Sequence, residues 1–98
     1  MDRLDELARL LCDSGDPDLA ARFLRELLTP SEIHGLSSRW ELSKRLEAGE
    51  SQRSIATRLG LSLCKITRGS RELKKPTSAL RTFIDRWKAQ GGRVEDPA

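Results

Sequence analysis

Tyrosine is absent from this chain of 98 residues, histidine occurs once and cysteine twice. The first absence excludes a tyrosine nucleophile, and no serine-centred system or acidic triad in a polar context replaces it. His34 stands alone, and Cys12 and Cys64 have neither the density of a disulfide scaffold nor the spacing of metal ligands. No apolar run is long enough for a membrane span. The start, MDRLDELARLL, is acidic and amphipathic, unlike a secretory signal. Strand alternation, internal repeats and a Gly-rich phosphate loop are all missing. The expectation is an all-α protein that is not an enzyme, needs no cofactor or metal, has no membrane partner and works in a reducing cytoplasm.

Charge and helical periodicity are what the chain does have. Charged residues make up 34% and hydrophobic residues 37%, for a net charge of +3. The charge is unevenly spread. Residues 1 to 28 hold seven acids against four bases. Residues 49 to 75 hold Arg53, Arg58, Lys65, Arg68, Arg71, Lys74 and Lys75 against Glu50 and Glu72, a balance of +5. A concentration of cations on one segment suits a polyanion.

Apolar spacing predicts six short helices. Leu4, Leu7, Ala8 and Leu11 form one stripe, broken by Ser14-Gly15-Asp16-Pro17. Asp16 then caps a helix to about Leu28, with Pro17 at its first position. Thr29-Pro30-Ser31-Glu32 is a capping box opening the longest helix, to about Ala48. After Lys74-Lys75-Pro76, Thr77 or Ser78 starts a last helix with Leu80, Phe83, Ile84 and Trp87 on one face. Residues 1–90 read as one helical domain and 91–98 as a disordered tail. The stripes exceed what so short a chain can cover, so the first three helices and the last are expected to bury them against a second copy.

Between these lies SQRSIATRLGLSLCKITRGS, residues 51 to 70. Ser51 caps a helix with Ile55, Ala56 and Leu59 inward, and Gly60 supplies the positive φ of a tight corner. Ser62 caps a second helix with Leu63 and Ile66 expected to face inward. Cys64, Lys65, Thr67 and Arg68 are left outward, short or cationic groups suited to a DNA major groove. This is the spacing of a helix-turn-helix.

Ser51-Gln52-Arg53 and Ile66-Thr67-Arg68-Gly69-Ser70 make the chain resemble the Trp repressor family. The resemblance extends back through Ser38-Arg39 to Leu27-Leu28-Thr29-Pro30 and forward to Trp87. It implies an intertwined all-α homodimer that represses transcription from double-stranded DNA, with L-tryptophan as co-repressor. The operator would be palindromic, with half-sites about one turn (~34 Å) apart, a spacing already known for helix-turn-helix dimers, the Trp repressor among them.

By the same resemblance, DNA contacts map onto Gln52, Arg53, Leu63, Cys64, Lys65 and Thr67. Lys65 replaces a small hydroxyl residue and has either a phosphate or a guanine edge to reach. Ligand contacts map onto Arg39 and Arg68, whose guanidinium planes flank an indole and hold a carboxylate. Backbone carbonyls near Glu26, Leu28 and Thr29 of the partner chain would take the ammonium. Departures from the family pattern are Arg71 and Glu72 in place of Asn and a small residue, Trp40 after Arg39, Ala56 where a lysine sometimes stands, and one residue fewer before Ser51. Glu72 has two readings, pairing with a ligand ammonium or with Arg71. Two other functions fit the helix-turn-helix: a ligand-free or differently liganded regulator, and the recognition module of a transposase-like system. A dimeric interaction protein with a vestigial head is a third.

Overall fold

Each helix in the computed structural model, which describes residues 2–94, begins at a side chain that replaces a missing backbone acceptor. Helix α1 (Arg3–Ser14) is capped by Asp2, and α2 (Pro17–Leu27) by Asp16. At the start of α3 (Pro30–Glu47) the capping box closes in both directions. The Glu32 carboxylate accepts from the Thr29 N–H at 2.8 Å, and the Thr29 hydroxyl accepts from the Glu32 N–H at 3.2 Å. Ser51, Ser62 and Ser78 cap α4 (Gln52–Leu59), α5 (Leu63–Lys74) and α6 (Ala79–Ala89). Ser78, not Thr77, is thus the start signal of the last helix. The first helix also runs a turn beyond Leu11. No strand occurs among the described residues, and none of their helices is long and apolar enough to cross a membrane.

Contacts divide the chain into two units, Met1–Gly35 and Leu36–Ala98, with the boundary inside α3. In the first unit α1 packs on α2, yet neither helix contains a buried residue. Leu4 is 72% exposed and Leu10 64%. Leu10, Leu11, Leu19, Ala20 and Phe23 line an apolar cleft of about 270 Å³.

The second unit has a proper core. Leu42 of α3, Ile55 of α4 and Ile66 of α5 meet and are almost fully buried, with Leu46, Ala56, Leu59 and Leu61 around them. Gly60 has φ +64°, as the sharp corner between α4 and α5 requires. Leu63 departs from expectation: it is 55% exposed. Leu61, in the turn, supplies the apolar contact instead, because the first residue of α5 lies beyond the reach of the α4 face. Phe83 likewise points out from α6, whereas Ile84 is fully buried.

Two helix ends are closed by the same device. After α3, Gly49 (φ +91°) donates to the Leu46 carbonyl and Glu50 to that of Arg45, at 3.1 and 3.0 Å. This is a Schellman motif, and Ser51 starts the next cap directly after it. The shortened entry to the helix-turn-helix is therefore a fully bonded connection. After α6, Gly91 donates to the Lys88 carbonyl and Gly92 to that of Trp87, both at 3.0 Å. Ordered structure thus reaches into the stretch read as a tail, of which residues 95–98 lie outside the described residues.

Candidate nucleic-acid interface and ligand cleft

The cations of the second unit fall into two groups according to their partners. Lys44, Arg45, Arg58, Lys75, Arg81 and Lys88 are held by carboxylates. Arg39, Arg53, Lys65, Arg68, Arg71, Lys74, Arg86 and Arg93 form no ion pair among the described residues. Within the basic segment the two acids, Glu50 and Glu72, neutralise Arg58 and Lys75. Five unpaired cations remain, on or beside the helix-turn-helix.

Glu50 organises the entry to that motif. Its carboxylate accepts from the Ser54 hydroxyl at 2.9 Å, from Arg45 Nη1 at 3.0 Å and from Arg58 Nε at 3.2 Å. Burial pushes the Glu50 carboxyl up, but the bonds from Ser54, Arg45 and Arg58 outweigh it and leave the pKa below the ordinary glutamate value. Arg45 is itself buried and also meets Glu41 at 2.9 Å. On the opposite side Glu47 holds Arg81 and Lys88 of α6, at 2.6 and 3.0 Å. The Arg81 guanidinium beside it lowers the Glu47 pKa against the opposing effect of burial, with Lys88 assisting.

Gln52 and Arg53 open α4 and are exposed. The Thr67 hydroxyl donates to Gln52 Oε1 at 3.4 Å, a long bond that joins the start of α4 to the middle of α5. Leu63, Cys64 and Lys65 occupy the exposed first turn of α5. Of the expected contact residues, Gln52, Arg53, Leu63, Cys64 and Lys65 are exposed and Thr67 is half-buried.

Arg39 and Arg68 come together with Glu72 around a cleft of about 520 Å³ between α3 and α5. Leu36, Trp40, Leu42 and Leu80 supply much of its apolar lining. Trp40 is half-buried, and its ring meets that of Trp87 edge-on, with centroids 6.3 Å apart. It forms part of the wall and leaves the cleft open. Gly69 sets how closely α5 approaches α3: a β-carbon there would lie 3.4 Å from Leu42 Cδ1.

Glu72 pairs with Lys75 at 2.9 Å, and not with Arg71. Adjacent residues on a helix project about 100° apart, whereas i and i+3 are neighbours. Arg71 lies outside the cleft. Glu26, Leu28 and Thr29 belong to the other unit, at the end of α2 and the start of α3, and only the resemblance assigns them to a partner chain's side of the pocket. Sequence reasoning misses Leu36, Leu42, Ser43, Gly69 and Leu80 as lining residues, and Cys64 and Lys65, expected only at DNA, also border the cleft. Of the missed residues, Leu80 reads in the sequence only as part of the apolar face of the last helix.

The chain matches the family described as Trp repressor protein over residues 2–88. It is 37% identical over 75 residues to a Trp operon repressor homolog of Vibrio parahaemolyticus, a match covering 76% of this chain and 73% of the relative. A Vibrio campbellii homolog of the same description is 34% identical over 85 residues, covering 82% and 85% of the two chains. A third, from Xylella fastidiosa, is 36% identical over 69 residues, covering 69% and 75%. No solved structure matches at a significant level.

Proposed function

The chain belongs to the Trp repressor family and is a DNA-binding transcriptional repressor; from this premise we propose that L-tryptophan is its co-repressor and that the α3–α5 cleft receives it. The observation that carries this reading is the convergence of two unpaired guanidiniums, the Lys65 ammonium and one carboxylate on a mainly apolar slot. A zwitterion with a flat apolar ring matches that set. Its carboxylate goes to Arg39 or Arg68, its ring between their planes, and its ammonium to Glu72, which it shares with Lys75. Carbonyls near Glu26, Leu28 and Thr29 of a partner chain complete the ammonium site.

The working molecule is a homodimer on a palindromic operator. What supports the dimer is the first unit, whose helices bury no residue of their own. Gln52, Arg53, Leu63, Cys64, Lys65 and Thr67 face DNA, with Gln52, Arg53 and Lys65 toward phosphates and Leu63, Cys64 and Thr67 toward base edges. A ligand wedged between α3 and α5 fixes the angle of the reading helix. It does so by binding the DNA-competent arrangement better than others, and a tenfold gain in operator affinity needs ~1.4 kcal/mol of coupling.

Calorimetric titration with L-tryptophan, followed by operator binding with and without it, tests the reading. Saturable binding and a rise in DNA affinity are expected, indole-3-propionate being weaker because it lacks the ammonium. Arg68→Leu should abolish the response while helicity persists. No heat of binding, together with equal DNA affinity in all conditions, would leave a ligand-independent repressor.

A further inference from the structure

We propose that Arg71 is a DNA-backbone clamp, a phosphodiester contact beyond the residues that the family resemblance assigns; the proposal rests on the chain's binding duplex DNA. Arg71 and Thr67 are i+4 and i on α5 and so lie on one stripe. They border a furrow of about 550 Å³ along that helix, together with Cys64 and Arg68. Thr67 is bonded to Gln52 at the start of α4, so the furrow continues the surface on which both motif helices meet DNA.

The charges in the furrow leave Arg71 available. The one carboxylate there, Glu72, is occupied by Lys75, so the pair contributes no net charge. Arg68 and Arg71 remain, both exposed and both without an acidic partner among the described residues. An exposed guanidinium one turn beyond a hydroxyl offers a forked donor set for phosphate oxygens. Furrow and α3–α5 cleft share Cys64, Arg68 and Glu72, but Arg71 itself does not line the cleft, so a change at Arg71 alone separates the DNA contact from the ligand site.

The test measures the salt dependence of binding to two mixed-sequence duplexes, one A·T-rich and one G·C-rich, for the whole protein and for Arg71→Gln and Arg71→Lys, with L-tryptophan affinity read in parallel. Each phosphate contact adds about 0.9 to the logarithmic salt slope, so a symmetric dimer lacking both clamps should lose about 1.8. The advantage of the unmodified protein over Arg71→Gln should then shrink roughly tenfold between about 50 and 200 mM salt. The loss should be equal on both duplexes, Arg71→Lys should restore most of the slope, and ligand affinity should not move. An unchanged slope in Arg71→Gln, or a loss confined to one duplex, overturns the clamp while leaving DNA binding intact. Absence of salt-dependent duplex binding by the unmodified protein overturns the DNA-binding reading itself, and the clamp with it.

Discussion

Replacing Glu50 with glutamine should loosen the joint between the long helix and the helix-turn-helix. The carboxylate serves three donors from three places: Arg45 on α3, and Ser54 and Arg58 on α4. Glutamine keeps one acceptor oxygen but turns an NH2 toward an arginine or the serine. Losing one charge-assisted bond to the buried Arg45 costs ~1.5–3 kcal/mol. The Arg58 bond adds at most about 1 kcal/mol, because that side chain is one-third exposed. The cost should stay below the ~3–5 kcal/mol of a fully orphaned buried charge, since Arg45 retains Glu41. A destabilisation of about 2–3 kcal/mol is therefore expected from urea unfolding at neutral pH, at fixed protein concentration. The acid limb provides a second readout. A carboxyl with a lowered folded pKa contributes stability that is complete above the ordinary glutamate value of about 4.3 and is lost as pH falls through the lower folded value. Stability of the unmodified protein should fall across that window, and the Glu50→Gln variant should show a shallower decline. A loss under about 0.5 kcal/mol, or identical acid limbs, would refute the view that Glu50 fastens the reading head.

Two further outcomes can be checked independently. The unfolding midpoint should rise with protein concentration if the proposed homodimer covers Leu4, Leu10 and Phe23, which are exposed in the single chain; a constant midpoint with a monomer mass in light scattering would contradict the homodimer. Gly92→Ala should destabilise by ~1–3 kcal/mol, since the added β-carbon would collide with the indole of Trp87, and an unchanged thermal midpoint would mean that the end of α6 is not held against that ring.

The features legible in the sequence were local ones. Capping residues, the Thr29–Glu32 box and the Gly60 corner each act within a few positions, so their bonds can be read from spacing. The inward stripe failed at Leu63 because periodicity does not say where a packing partner stops. Leu61, outside any helical period, took its place. Glu50 looked like one charge in a tally, and only the chain's return brought Arg58 onto it from eight residues away. Gly92 read as tail because nothing in QGGRV announces an indole to pack upon. The arginine pair was legible through motif resemblance, whereas the apolar walls of its cleft come from α3, α5 and α6 and have no shared spacing.

The edge-on pair of Trp40 and Trp87 also decides how this molecule can be watched. These are its two indoles, and with no tyrosine the near-ultraviolet emission arises entirely from the second unit. A fluorescence melt will follow the α3–α6 contact of the second unit and remain dark to α1 and α2. Added L-tryptophan will overwhelm the same emission band, so titrations with that ligand need heat or circular dichroism as the signal. A dye for the first unit has a natural attachment point in Cys12, an exposed free thiol on α1. Cys64, equally exposed on the first turn of α5, would first have to be replaced by serine.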